Sequence, residues 1–250
     1  MSSLVRMLSV LDLFTEAEPA WTPDAIAQRL ACSLPTAYRY VRALMQAGLL
    51  RRAAAGTYVL GARLAELDFQ MRRTDPLLRD GDGALRALCE DTGCDVVVAE
   101  VLGDRLITVQ QIHGSEGVSA SFGRGRRMPP FRGMLSKTLL AGLTRPALRR
   151  LHAAHAAEAA AEPFAADFDT LVAHLRRIRA DGYAVSLGEL DPGLAGIAVP
   201  IPRPGDGGTA ALGVILAKRR FATTDVGAMV RRLRRAAEDV VREVEARAAD

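Results

Sequence analysis

Between Asp24 and Glu66 the sequence contains no carboxylate and six arginines: Arg29, Arg39, Arg42, Arg51, Arg52 and Arg63. A stretch that gathers guanidinium groups and excludes acids suits phosphate, because each neutralised phosphate releases condensed counterions. Ser33, Pro35, Thr36, Tyr38, Arg39, Tyr40 and Arg42 would reach base edges or phosphates if they share a helix lodged in a major groove. A guanidinium forked onto guanine would discriminate by about 1–3 kcal/mol. Arg51 and Arg52 suit the DNA backbone or the minor groove. The competing reading is a solvated basic face on a winged helix that binds protein.

Other groups of chemical interest are scattered. His152 and His155 lie three apart on an expected helix with Glu158 one turn on, a spacing compatible with metal binding and equally with a solvated helix face. His113 follows an expected strand, where it suits an edge-of-sheet polar role or entry into a pocket. Cys32, Cys89 and Cys94 form no Cys-x-x-Cys pair, so neither a disulfide framework nor a zinc knuckle is indicated, and a reducing cytoplasm fits. Gly123-Arg124-Gly125-Arg126-Arg127 is a basic loop without the strand-to-helix context of a nucleotide-binding fingerprint. With four dispersed histidines and no Ser/His/Asp arrangement, no catalytic set, metal or cofactor is expected.

The elements that must position the arginines are legible. The 250 residues are 49% hydrophobic and 25% charged, with a net charge of +4, the composition of a globular chain long enough for two modest cores. There is no signal peptide pattern and no apolar run long enough for a membrane span. Leu4, Met7, Leu8, Leu11 and Leu13/Phe14 recur at helical spacing from Ser3. Thr22-Pro23 opens a short second helix. Ser33 can cap a third, with the apolar set Leu34, Ala37, Val41, Leu44 and Met45 running to Gly48 at its end and Ala37, Val41 and Leu44 as its core stripe. Two short strands around Gly56 follow, so the segment reads as a winged helix-turn-helix. Leu64, Leu67 and Met71 mark another helix, either a dimer seam or packing against its own domain. Beyond Pro76, helices are expected near 77–91, 133–142, 146–157, 167–181 and 224–247, with strands near 96–101, 106–109, 183–187, 195–201 and 209–217. Hairpin-joined strands with helices to one side give an α+β domain around an antiparallel sheet.

Thr36-Ala37-Tyr38-Arg39, Gly48-Leu49-Leu50 and Tyr58-Val59-Leu60-Gly61 resemble the DNA-binding domain of IclR-type bacterial transcriptional regulators. Gly182-Tyr183-Ala184, Glu189, Gly193-Leu194 and Ile197-Ala198-Val199-Pro200-Ile201 resemble that family's effector-domain signature. The resemblance implies a winged helix over residues 1–61, a linker helix over 62–75 and a GAF/profilin-like effector-binding domain over 76–250. It also implies a homodimer or dimer of dimers that binds double-stranded operator DNA and responds to a small organic acid. Effector contacts carried over in this way fall on Phe131, Met134, Leu135, Ser136, Ser186, Glu189, Gly196 and Ile215. Backbone N–H groups at a helix N-terminus suit a carboxylate, so an acid is expected near Gly133 to Lys137, while Ser136 could equally be a structural cap. Ser186, Gly196 and the apolar strand Gly213-Val214-Ile215-Leu216 stand where relatives carry more polar groups. They predict a roomier, more apolar pocket and an aromatic or partly hydrophobic acid.

Overall fold

A computed structural model describes residues 2–202 and 209–248. They form two compact units, Met1–Asp75 and Pro76–Asp250. In the first, α1 (Ser3–Leu8) tightens into a 3-10 segment over Ser9–Leu13, so the expected first helix is α-helical only in its first half. Thr22 Oγ1 accepts from the Ala25 N–H at 3.2 Å, capping α2 (Pro23–Arg29) with proline in its first turn. An Arg6 guanidinium donates to the Leu30 carbonyl at 2.9 Å and ties α1 to the turn before α3 (Leu34–Gln46).

Gly48, at φ +73°, ends α3 and turns the chain into the wing, β1 (Leu50–Arg52) against β2 (Tyr58–Leu60). The wing returns so close to that turn that a Cβ at Gly61 would lie 2.1 Å from the Gly48 carbonyl oxygen. Only glycine fits there. Val10, Ile26, Ala37, Val41, Leu44 and Leu50 make the small core under these elements. The unit ends in α4 (Arg63–Thr74), which buries none of its residues.

The second unit begins with α5 (Pro76–Arg79) and α6 (Asp82–Thr92). The single expected helix is broken here. The strands are β3 (Asp95–Leu102), β4 (Arg105–Ile112), β5 (Arg127–Met128), β6 (Ala184–Leu187), β7 (Leu194–Pro202) and β8 (Thr209–Ala217). They make one antiparallel sheet in the order β5-β4-β3-β8-β7-β6. Between β5 and β6 run α7 (Met134–Gly142), α8 (Arg145–Ala154), α9 (Ala156–Ala160) and α10 (Phe168–Asp181). After β8 come α11 (Lys218–Phe221) and the long α12 (Val226–Ala248).

The helices do not sit to one side of the sheet, as the hairpin pattern suggested. Val96, Val98, Leu212 and Val214 pack with α6 and α12 in one core, and Val97, Ala99, Ala198 and Ala211 pack with α7, α8 and α10 in another. The physical reason lies in the strands: Val96-Val97-Val98-Ala99 is apolar at every position, and a strand apolar at both alternations must be covered on both faces. No helix among the described residues is long and apolar enough to cross a membrane.

Candidate functional site

On α3, Pro35, Tyr38, Arg39 and Arg42 are exposed and spaced i, i+3, i+4, i+7, a single stripe along the helix. Ser33 is exposed and Thr36 half-buried at the N-terminal end. Their hydroxyls meet each other at 2.9 Å, and Ser33 makes no side-chain cap to the backbone. Tyr40 does not belong to this surface. It is only 5% exposed, and its hydroxyl lies 3.3 Å from Ser3 Oγ on α1. The cause is the inward stripe, which is Ala37, Tyr40, Val41 and Leu44. Position 40 completes the i, i+3, i+4, i+7 set and turns the phenol ring into the core.

Arg51 and Arg52 are both exposed on β1, but neighbours on a strand leave from opposite faces, so they cannot serve the same groove side. Among the described residues, no ion pair engages Arg39, Arg42, Arg51 or Arg52, whereas Arg63 is paired with Glu66 at 2.5 Å.

In the second unit, β-sheet register gathers residues distant in sequence: Ser186 stands opposite Gly196, and Gly196 opposite Ile215. Directly paired residues share a face, and this row fronts the first turn of α7. Met134, Leu135, Ser136, Ser186, Glu189, Gly196 and Ile215 all line one cavity there. Phe131 does not. It is 1% exposed, its ring edge-on to His152 at 5.9 Å, inside the core beneath α8.

The cavity is not roomy. Its volume is about 40 Å³, little more than the space of one water. The space opened by glycine is filled from above: a Cβ at Gly196 would lie 2.7 Å from Met134 Sδ and Cε, and one at Gly213 3.0 Å from Met134 Cε. The bare backbone at Gly196 is what leaves room for Met134 from α7.

The N-terminus of α7 already holds a carboxylate. Gly133, at φ +87°, precedes the helix, and its N–H donates to Glu189 Oε2 at 2.8 Å. Lys137 Nζ, one turn on, meets Glu189 Oε1 at 2.5 Å. Arg132 donates to the Glu189 carbonyl, and Asp191 accepts from the Ser121 N–H at 3.0 Å. These bonds fix Glu189 and Asp191 in the cavity wall. Ser136 takes no part in them, because its hydroxyl donates to the Pro129 carbonyl at 2.8 Å and ties the preceding loop to α7. Arg132 and Asp191 were not singled out from sequence as site residues, and Lys137 only as the far end of the stretch, Gly133 to Lys137, near which an acid is expected. Lys137 offered a signal, being one of two lysines in the chain and one helical turn after Gly133.

Beside this pair, His174 on α10 stacks on Phe164 at 4.4 Å, and its Nε2 is buried without a hydrogen-bond partner. Burial, reinforced by the Lys137 and Arg177 charges, holds its pKa below the ordinary value. The remaining histidines serve structure. His152 Nε2 lies 2.8 Å from the Ala165 carbonyl oxygen. His155 bridges Glu158 at 3.2 Å and the Asp104 carbonyl at 2.7 Å. His113 Nδ1 meets the buried Asp95 at 2.9 Å at the strand end.

Residues 3–54 match the IclR helix-turn-helix domain and residues 73–242 the bacterial transcriptional regulator IclR C-terminal domain. The chain belongs to the IclR family. It is therefore a DNA-binding transcriptional regulator and not an enzyme, and IclR regulators bind DNA and small-molecule effectors. It is 25% identical over 201 residues to the HTH-type transcriptional regulator KipR of Bacillus subtilis, covering 80% of this chain and 79% of that one. Among solved structures it is similar to a putative IclR transcriptional regulator from Silicibacter sp. TM1040, with TM-score 0.83, 20% identity and coverage of 97% and 96%. It is also similar to an IclR homologue from Microbacterium hydrocarbonoxydans complexed with 4-hydroxybenzoate, with TM-score 0.73, 24% identity and coverage of 98% and 100%.

Proposed function

We propose that this IclR-family regulator controls a catabolic operon and senses a small, partly hydrophobic organic acid, with an aromatic acid as the best candidate. The observation that carries the reading is the convergence of the Gly133 N–H and Lys137 Nζ on one carboxylate, that of Glu189. A helix N-terminus and an ammonium together favour an anion, so an acid effector takes the place of the Glu189 side chain. Its apolar part then lies against Leu135 and Ile215, after Met134 swings off Gly196 and Gly213. Methionine has three rotatable bonds and tolerates such repacking. The Microbacterium homologue crystallised with 4-hydroxybenzoate supports an aromatic acid.

A second reading, a two- or three-carbon acid, is favoured by the cavity of about 40 Å³, since a benzene ring needs roughly 150 Å³. Met134→Ala separates the two. With an aromatic effector, benzoate binding measured by calorimetry tightens in the variant as the plug is removed. If pyruvate or glyoxylate alone stabilises both proteins in a thermal-shift assay, the short-acid reading stands and the aromatic one falls.

The DNA-contacting groups in this proposal are Ser33, Pro35, Thr36, Tyr38, Arg39 and Arg42, with Arg51 and Arg52 on the wing. The partners are operator DNA and a second copy of the chain. Leu67, Phe69 and Met71 on α4 are 40%, 61% and 46% exposed, so packing against its own unit does not cover them and a second copy would. An effector-dependent gel shift on the DNA flanking the regulator's own gene tests the whole reading. It fails if the protein does not retain that DNA, or if no acid changes the retention.

A further inference from the structure

Helix α7 has a cavity at each end. The one against its first turn holds Glu189. A second, of about 590 Å³, lies against its last turns and between α8 and α10. That volume falls in the range of sites that take small molecules, about 300–1,000 Å³.

Three observations define what it would take. Its walls include Leu148, Val172, Leu175 and Ile178, an apolar surface suited to a ring or a short hydrocarbon body. Thr138 on α7 also lines it. This residue is 2% exposed, and its Oγ1 has no hydrogen-bond partner, although a buried hydroxyl is ordinarily paired. Finally, its charged lining is entirely arginine: Arg145, Arg176 and Arg179. Arg179 is held by the Ala141 carbonyl at 2.8 and 2.5 Å, and Arg145 meets Asp169 at 2.9 Å. Arg176 is exposed and engages no acid among the described residues.

We propose that the cavity between α7, α8 and α10 is a second binding site, for a small amphipathic anion. Its apolar body lies on Leu148, Val172 and Ile178, its carboxylate meets Arg176, and a hydroxyl on the body pairs with Thr138 Oγ1. The site is separate from the Glu189 cavity and stands or falls independently of the effector reading. The two share α7 as a wall, so an occupant here bears on the helix that carries Lys137.

Calorimetric titration of the full chain with 3-(4-hydroxyphenyl)propionate and its deoxy analogue 3-phenylpropionate tests this. The hydroxylated acid binds more tightly, and that preference disappears in Thr138→Val. Arg176→Ala, an exposed change that leaves folding intact, weakens both acids at least tenfold. Lys137→Met, which removes the ammonium that faces Glu189, leaves this binding event in place, and adding Val172→Trp, which fills the space, abolishes what remains. The proposal is overturned if Arg176→Ala and Val172→Trp leave affinity unchanged, or if Lys137→Met alone removes binding, which would assign the acid to the Glu189 cavity. It is also overturned if Val172→Trp changes the sedimentation of the protein, which would make the groove an interface between copies.

Discussion

The face formed by α3 and the wing and the Glu189 cavity of the sensor unit treat positive charge in opposite ways. On α3 and the wing, Arg39, Arg42, Arg51 and Arg52 are exposed and engage no acid among the described residues. Around the Glu189 cavity the cations are matched, Lys137 by Glu189 at 2.5 Å and Arg132 by Glu162 at 3.4 Å. The difference follows from solvent. Exposed guanidinium groups cost little while they wait in water, and they bind a polyanion best when no internal carboxylate competes. A half-enclosed ammonium has lost much of its water, and leaving it unpaired is costly. The sensor therefore carries its own carboxylate, that of Glu189, at the place proposed for the effector's.

If that contrast is right, the largest effect belongs to the unpaired set. Arg39→Ala combined with Arg42→Ala should lower operator affinity about 100-fold or more, since each such contact contributes on the order of 1–3 kcal/mol. The sensor unit's thermal unfolding should not change, and calorimetric scanning beside an anisotropy titration measures both. An intermediate effect is expected on the paired side. Glu189→Gln weakens the internal competitor while keeping its shape, so benzoate should bind roughly tenfold more tightly, a gain of about 1.4 kcal/mol. Weaker binding would mean that Glu189 contacts the ligand rather than yielding to it.

A smaller effect sharpens the contrast at His174. Its folded pKa lies below the unfolded value of 6.5 because burial, Lys137 and Arg177 all disfavour the imidazolium. Above that value both states are neutral. As pH falls through it the unfolded chain takes up a proton that the folded one refuses, and stability is lost down to the lowered folded pKa. Comparing urea midpoints at pH 7 and pH 5, the wild type should lose more stability than His174→Phe.

Much of this contrast is already visible in the sequence, because its DNA half depends on local features. The helical spacing of Ala37, Val41 and Leu44, the Gly48 helix stop and the hairpin are all short-range, and each became the element it suggested. Tyr40 was misplaced for a local reason as well. A tyrosine reads as polar at its hydroxyl and apolar at its ring, and the 37/40/41/44 spacing decides which end prevails. The sensor was harder to read because its chemistry is long-range. Glu189 reaches Lys137 across 52 residues and the Gly133 N–H across 56, and no periodicity encodes such a pairing. The apparent vacancy at Gly196 misled in the same way, since the side chain that fills it, Met134, comes from a helix 62 positions earlier. The helices on both faces of the sheet could have been anticipated from the unbroken apolar run of β3.

The most direct test is an anisotropy titration of the DNA flanking the gene with the wild-type chain, from about 50 to 200 mM salt, with and without benzoate. The unpaired arginines predict that log affinity falls linearly with log salt, with a slope of about −0.9 per phosphate contacted. Benzoate should displace the line in parallel, because the acid alters no group on the winged-helix face. An affinity that stays flat across the salt range, or a slope that changes with benzoate, would contradict the division of charge between the two units.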